Sequence, residues 1–249
     1  ASAVLSVPAE TRNFAYISCG TWSLVGLELG APVRTEAARL ANFTNELGVD
    51  NTVRFLRNIM GLWVFNECVC EWENGGMPIS FAELDPQTAA AEPFRTLVDV
   101  NDPVFYAPGP MTERIATWAR KTGQPLPETP AQFSRCITES LAIAYANAIQ
   151  EASRLADQPV DVIHMVGGGI NNKLLCQLTA DATGRPVVAG PTEGTALGNL
   201  LMQARANGDA PGDIWDLRRI IRNSIDTITY TPQNTAAWAE PKRRIAQQG

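Results

Sequence analysis

The spacing of apolar residues changes character several times along the chain. In "FAYISCGTWSLVGLEL", residues 14–29, β-branched and aromatic residues flank a Cys-Gly pair, which predicts two strands joined by a tight turn at Gly20. In "DNTVRFLRNIMGLWVFNECVCEW" the positions Val53, Leu56, Ile59, Met60, Trp63 and Val64 recur at steps of three and four. That spacing predicts one helix, with Asp50 or Asn51 as its N-cap. From residue 74 to about 110 glycine, proline and polar residues rise, with at most a short helix around 85–91, and the stretch reads as an insertion or cap. "PGPMTERIATWARKTG" predicts a short helix closed by Gly123. "TPAQFSRCITESLAIAYANAIQEASRLA" predicts a long central helix with Phe133, Ile137, Leu141, Tyr145, Ala148 and Leu155 near one face. A buried strand in "PVDVIHMVGGG", a helix ending at Gly184, a short strand in "RPVVAG" and a helix ending at Gly208 follow. This order implies βαβ connections, a mostly parallel sheet and an α/β fold. The final "TPQNTAAWAEPKRRIAQQG" is expected to form a peripheral helix with a frayed basic end.

At 249 residues and 45% hydrophobic, the chain is long enough for one large domain or two small ones. A net charge of −6 disfavours nucleic acid, whose binders carry a basic stripe. No apolar run approaches the roughly 18 residues that span a bilayer. The opening "ASAVLSVPAETRNF" lacks the basic end and long apolar centre of a signal peptide, so a cytoplasmic location is expected. Five cysteines do not make a disulfide framework. Cys68 and Cys70 stand at i and i+2 of an expected helix and do not face each other, which argues against a metal site. The single His164 reads as a satisfied strand histidine.

Candidate chemistry concentrates in the glycine-rich loops. Gly167, Gly168 and Gly169 lie between a strand and a helix N-terminus, where exposed amides suit a phosphate or a polar ring edge and the missing Cβ atoms let a flat ligand lie on the backbone. The motif is neither the phosphate loop with its lysine nor GxGxxG, and a tight turn permitting close helix packing explains it equally well. Gly190 falls in a loop and Gly194 and Gly198 follow on one helix, where with Ala196 they would let that helix press closely on the sheet, a role favoured over ligand contact, with Thr192 and Glu193 capping the first turn. The turn "SCGTWS" offers Ser18, Gly20, Thr21 and Ser23 to a phosphate. Asn58 breaks the apolar face of the expected helix, where it needs a hydrogen-bonding partner in the protein or in a ligand.

Together, "YISCGTWSLVG", "FTNELGVDNTVRFLRNIMGLWVFNEC" and "IHMVGGGINNKLLCQLTADATGRPVVAGPTEGTALGNLLMQA" resemble the C-terminal domain of the FGGY carbohydrate kinases, most closely their L-rhamnulose kinase branch. The resemblance runs over nearly the whole chain, with residues 73–110 contributing little. It implies the C-terminal half of a sugar kinase with an actin-like ATPase, ribonuclease-H-like fold. It also implies a single domain over residues 1–249, with a core of about 10–210, a variable insertion at 73–110 and a peripheral segment at 211–249. Mg2+ and ATP would meet the sugar in the cleft between this half and an N-terminal half. In such kinases the GTWS turn lies at the ATP phosphates, which implicates Thr21 as the contact and Gly20 as the residue that allows approach. The triple-glycine loop lies against adenosine, implicating Gly168, with Gly167 and Gly169 as supports and Asn172 at the adenine. Asn58 matches a substrate-contacting residue. Asn66 stands where these enzymes have a longer Gln, which puts its reach to ATP in question, and Gly194 replaces their more usual Ala.

The family's "HDT" motif, whose aspartate is the general base, precedes a segment like the opening "ASAV". The base, most of the sugar pocket and the first phosphate loop are therefore expected upstream of Ala1, leaving no catalytic residue in this chain. Phosphoryl transfer needs groups on both sides of the phosphate, so this half alone is expected to be inactive. Its partner-facing surface is expected to favour self-association. Two other readings stay open: a non-catalytic nucleotide-sensing or partner-binding module of the same fold, and a kinase of the family acting on fuculose, xylulose or glycerol.

Overall fold

The computed structural model describes residues 1–247. Phe14–Cys19 (β1) and Ser23–Leu29 (β2) form the predicted hairpin, with Ala15 opposite Leu27 and Cys19 opposite Ser23.

The next segment departs from the expected helix. Val53–Ile59 (β4) is a strand that pairs antiparallel with β2, Val53 opposite Leu29 and Ile59 opposite Ser23. Helix is confined to Trp63–Asn74 (α3). Asp50 and Asn51 cap nothing; they adopt φ of 53° and 60° in a turn, and Asp50 pairs with Arg205 at 2.8 Å. The cause is burial on both faces of β4, with Phe55 and Ile59 in one core and Leu56 in another. A strand covered on both sides loses strict alternation, and its apolar positions then mimic helical spacing. Thr44–Leu47 (β3), largely exposed, adds antiparallel to β4.

Val162–Val166 (β5) lies parallel to β1, Val187–Ala189 (β6) parallel to β5, and Ile228–Tyr230 (β7) antiparallel to β6. The sheet order is β3-β4-β2-β1-β5-β6-β7. The sheet is therefore mixed rather than mostly parallel, since among the described residues only the β1–β5 and β5–β6 pairings are parallel. Parallel pairing is limited to strands linked by helical crossovers, and the hairpin and both edges are antiparallel.

One face of the sheet carries Pro130–Ala156 (α6) and Lys173–Thr183 (α7). α6 starts where the sequence suggests: Pro130 occupies its first turn and the Thr129 hydroxyl accepts from the Gln132 amide. Its Ile137, Leu141, Tyr145 and Ala148 enter the same core as Ile17, Val25 and Met165. Phe81–Ala90 (α4) begins four residues earlier than expected, and Met111–Lys121 (α5) is followed by Gly123 in the left-handed region. Within residues 73–110, Val98, Val100 and Phe105 are fully buried in the main core. Glu36–Leu40 (α2) leads into β3.

The other face carries Ser2–Leu5 (α1), Gly194–Asn207 (α8) and Ile214–Ser224 (α9). The α8 glycines do serve close packing, mainly against the N-terminal segment rather than the sheet. A Cβ on Gly198 would sit 2.0 Å from the Ser2 carbonyl oxygen, and one on Gly194 would sit 2.6 Å from the Ser6 hydroxyl. Neither Thr192 nor Glu193 caps the helix with a side chain. The C-terminal region is integral rather than peripheral: Leu217 and Arg218 of α9 are fully buried, and Trp238 packs edge-on against Phe94 with centroids 4.9 Å apart. Ala239–Ala246 (α10) follows, and the last two residues of the expected frayed end lie outside the described residues. No helix among the described residues is long and apolar enough to cross a membrane.

Candidate functional site

β1 and β5 are parallel neighbours with Ser18 opposite Val166, so they end at the same edge of the sheet. The turn after Cys19 and the glycine loop after Val166 emerge side by side, at the carboxyl ends of parallel strands where α/β sheets open a crevice. The turn is closed by the Gly20 amide donating to the Trp22 carbonyl at 3.1 Å. From behind, the Leu62 and Trp63 amides at the start of α3 donate to the Gly20 and Thr21 carbonyls at 3.0 and 2.9 Å. Gly61 permits this approach: its φ is +28°, and a Cβ there would fall 2.6 Å from the Gly20 oxygen and 2.7 Å from that of Thr21. Thr21 itself is exposed, and its hydroxyl bonds to no described residue.

Cys19 joins the two loops. A Cβ on Gly167, whose φ is +93°, would lie 2.7 Å from the Cys19 carbonyl oxygen, and one on Gly169 would lie 2.2 Å from the Cys19 sulfur. Beneath them the Tyr145 hydroxyl of α6 sits 2.7 Å from Ser23 Oγ and 3.5 Å from Cys19 Sγ. Burial raises the pKa of both the thiol and the phenol, keeping the group neutral and structural. Gly168 is different. Nothing lies within 4 Å of the place its Cβ would occupy, and its backbone is not left-handed. Neither packing nor conformation requires a glycine there.

Gly168 instead opens into a cavity of about 350 Å³, which it shares with Gly169 and Asn172, with Phe65 and Asn66 of α3, and with Phe81 and Asp85 of α4. Leu62, Ser134 and Asn171 complete it, and the last two with Asp85 and Asn172 also line an adjoining space of about 270 Å³ that reaches Lys173. Asn172 caps α7, its Oδ1 accepting from the Leu175 amide at 2.9 Å, which leaves its NH2 group for a ligand. Phe81 is half exposed, with its ring 6.1 Å from that of Phe65. Aromatic walls, amide groups, one carboxylate and bare backbone suit a flat, uncharged heterocycle, in a volume within the usual range for ligand pockets.

The structure thus brings together Gly168, Gly169, Asn172 and Asn66, with Gly167 supporting the loop and Gly20 and Thr21 beside it. Asn58 stays apart. It is exposed on β4 opposite Leu24, away from the cavity, and has no side-chain partner among the described residues. Cys19, Gly61, Tyr145, Phe81 and Asp85 escape the sequence reading; Gly61, a lone glycine where an apolar run changes period, is the one that leaves a readable signal. The five cysteines are free, with Cys68 buried and Cys70 exposed on α3, and no group of three metal-binding side chains occurs among the described residues. His164 is on the expected strand and buried, but it is not satisfied: its Nδ1 has no hydrogen-bond partner.

Residues 15–207 match the model of the C-terminal domain of the FGGY family of carbohydrate kinases. The chain is 46% identical over 237 residues to a rhamnulokinase of Bacteroides thetaiotaomicron, an alignment covering 95% of this chain and 48% of that protein. It is 42% identical over 234 residues to a rhamnulokinase of Bacillus subtilis, covering 94% and 47%. Among solved structures, the xylulose kinase from Rhodospirillum rubrum superposes with a TM-score of 0.70 at 17% identity, over 99% of this chain and 48% of that one. The chain spans about half the length of the curated relatives it matches.

Proposed function

The chain belongs to the FGGY family of carbohydrate kinases, and on that footing we propose that it is the nucleotide-binding half of an enzyme that transfers the γ-phosphoryl group of ATP to L-rhamnulose, giving L-rhamnulose 1-phosphate. Its fold is the C-terminal half of the actin-like ATPase architecture of these kinases. The observation that carries the nucleotide reading is Gly168, a glycine with no internal reason to be one, facing a cavity with aromatic and amide walls. In this reading adenosine rests on Gly168, with the Asn172 amide and Asn66 at its polar edge, and the exposed Thr21 hydroxyl with the Gly20 backbone holds the phosphates. Mg2+ would arrive with the phosphates and neutralise part of their charge, since the described residues offer no cluster of ligands that would bind it alone.

The sugar, the general base and the second phosphate clamp belong in this reading to an N-terminal half across the cleft. Trp22 and Tyr106 support a facing partner: they lie 6.4 Å apart and half exposed, with Trp22 directly after Thr21. Asn58 is the one substrate contact we assign to this half. Five free cysteines fit a cytoplasmic setting.

The test is phosphoryl transfer by the whole polypeptide that carries this chain. A higher kcat/KM with L-rhamnulose than with L-fuculose, D-xylulose or glycerol is expected. Preference for another of these sugars overturns the substrate, and ADP binding without transfer to any of them overturns the enzymatic role.

A further inference from the structure

A cavity of about 550 Å³, larger than the one at the glycine loop, opens elsewhere in the molecule. It lies over the opposite face of the sheet. Its floor is made by Val162 and His164 of β5, Val188 of β6 and Thr229 of β7, whose strand neighbours Ile163, Met165, Val187 and Ala189 point into the α6 and α7 core. Glu10 and Thr11, in the link between α1 and β1, and Arg222, on α9, form part of its walls.

This trough holds polar groups that the protein leaves unmatched. His164 is only 4% exposed, yet its ring makes no hydrogen bond to a described residue, and a buried ring nitrogen is seldom left so. The hydroxyls of Thr11, Thr227 and Thr229 likewise bond to no described residue. Two arginines stand at the trough against two carboxylates, Glu10 on its lining and Glu28 behind it. Arg222 donates to the Ala9 carbonyl at 2.7 Å, but its ion pair with Glu10 is loose, at 3.7 Å to a side chain that is 78% exposed. Arg218 lies behind it, fully buried, paired with Glu28 at 2.9 Å and stacked over Phe14. Burial first, then Arg218 and Arg222, push the His164 pKa down to about 4, so the imidazole faces the trough uncharged. A purely apolar molecule would leave the hydroxyls and the imidazole unmatched, and Arg222, held only loosely by Glu10, is the charged donor free to turn to a ligand.

We propose that this trough is a second ligand site, separate from the nucleotide cavity, for a small metabolite bearing an oxyanion, either phosphate or carboxylate. Arg222 replaces its loose contact with Glu10 by a charge-assisted pair to the oxyanion, the threonine hydroxyls and His164 supply the remaining hydrogen bonds, and Val162 and Val188 receive the carbon skeleton.

The sequence contains one histidine, so its ring gives a single set of imidazole NMR signals. Inorganic phosphate and citrate are titrated separately into the isotope-labelled chain at constant ionic strength, with chloride as the reference anion. At least one is expected to move the His164 resonances saturably, and Arg222→Gln is expected to weaken that binding by about tenfold or more. A response to phosphate alone assigns a phosphoryl group, to citrate alone a carboxylate, and to both a site that accepts either. No response at tens of millimolar overturns the proposal, as does a response unchanged in Arg222→Gln. Because Arg222 also holds the Ala9 carbonyl, Thr229→Val is the second variant. It removes a hydroxyl from an edge strand, should weaken the response several-fold, and overturns the proposal if it leaves the response intact.

Discussion

The sulfur of Cys19 lies 2.2 Å from the point that a Cβ on Gly169 would occupy, so the last residue of β1 and the loop after β5 are fitted together without room for a methyl group. Gly169→Ala is expected to destabilise the fold by about 1–3 kcal/mol through overpacking. In a Cys19→Ala background the same change should cost less, although the residue 19 Cβ at 2.9 Å still crowds it. Urea denaturation of the four proteins measures the coupling, and strict additivity would count against direct contact.

Gly168→Val should behave differently from Gly169→Ala, because the space beside Gly168 is empty and the substitution fills the cavity rather than the core. Folding stability should change little, while both ADP and adenosine binding are lost. Thr21→Ala should weaken ADP by roughly 0.5–3 kcal/mol and spare adenosine, since it removes one hydroxyl from the phosphate side. Titration calorimetry with the two ligands separates the variants, and adenosine binding retained by Gly168→Val would refute the platform.

Tyr145→Phe removes the hydroxyl that meets Ser23 Oγ at 2.7 Å. Ser23 is fully buried, so its oxygen loses its partner, at a cost of about 1–3 kcal/mol. Adding Ser23→Ala to Tyr145→Phe takes away the orphaned group, and part of the lost stability should return. Chemical denaturation reads this directly, and a double variant weaker than the single one would disprove it.

His164 gives the chain a defined acid sensitivity. Its pKa of about 4 in the fold lies below the ordinary 6.5, so between those values the unfolded chain binds a proton that the native chain does not. This contribution is complete above pH 6.5, is lost as the pH falls from 6.5 towards 4, and is constant below. A gap of that size corresponds to about 3 kcal/mol for so buried a group. Unfolding free energies measured from pH 7 to 4 should fall less steeply for His164→Phe than for the parent chain, and matching slopes would show that another group titrates.

The glycine loops and the central helix were legible because the residues that define them are themselves the signal: three adjacent glycines, a Thr-Pro start at 129–130, and Gly184 and Gly208 as helix stops. β4 was not, because burial of Phe55 and Leu56 on opposite faces erases the alternation that marks a strand. The edge strands β3 and β7 were invisible for a different reason: both are short and mostly exposed, and they are fixed by pairing rather than by apolar pattern. Within the site, Gly168 and Asn172 could be named from the motif. Phe81 and Asp85 could not, since α4 comes from a stretch whose composition resembles a loop, and only its packing against α6 turns it into a cavity wall.

The pairing of Ser18 with Val166 also bears on how the site is lost. Because the two loops of the proposed nucleotide site continue directly from β1 and β5, a shift of one residue between these strands would turn the Cys19 side chain to the other face and take the sulfur away from Gly169. The site is therefore not an ornament that can melt while the scaffold persists. Its opening is the opening of the central strand pair, so exchange of the buried β1 and β5 amides with solvent should keep pace with the disappearance of nucleotide-binding competence.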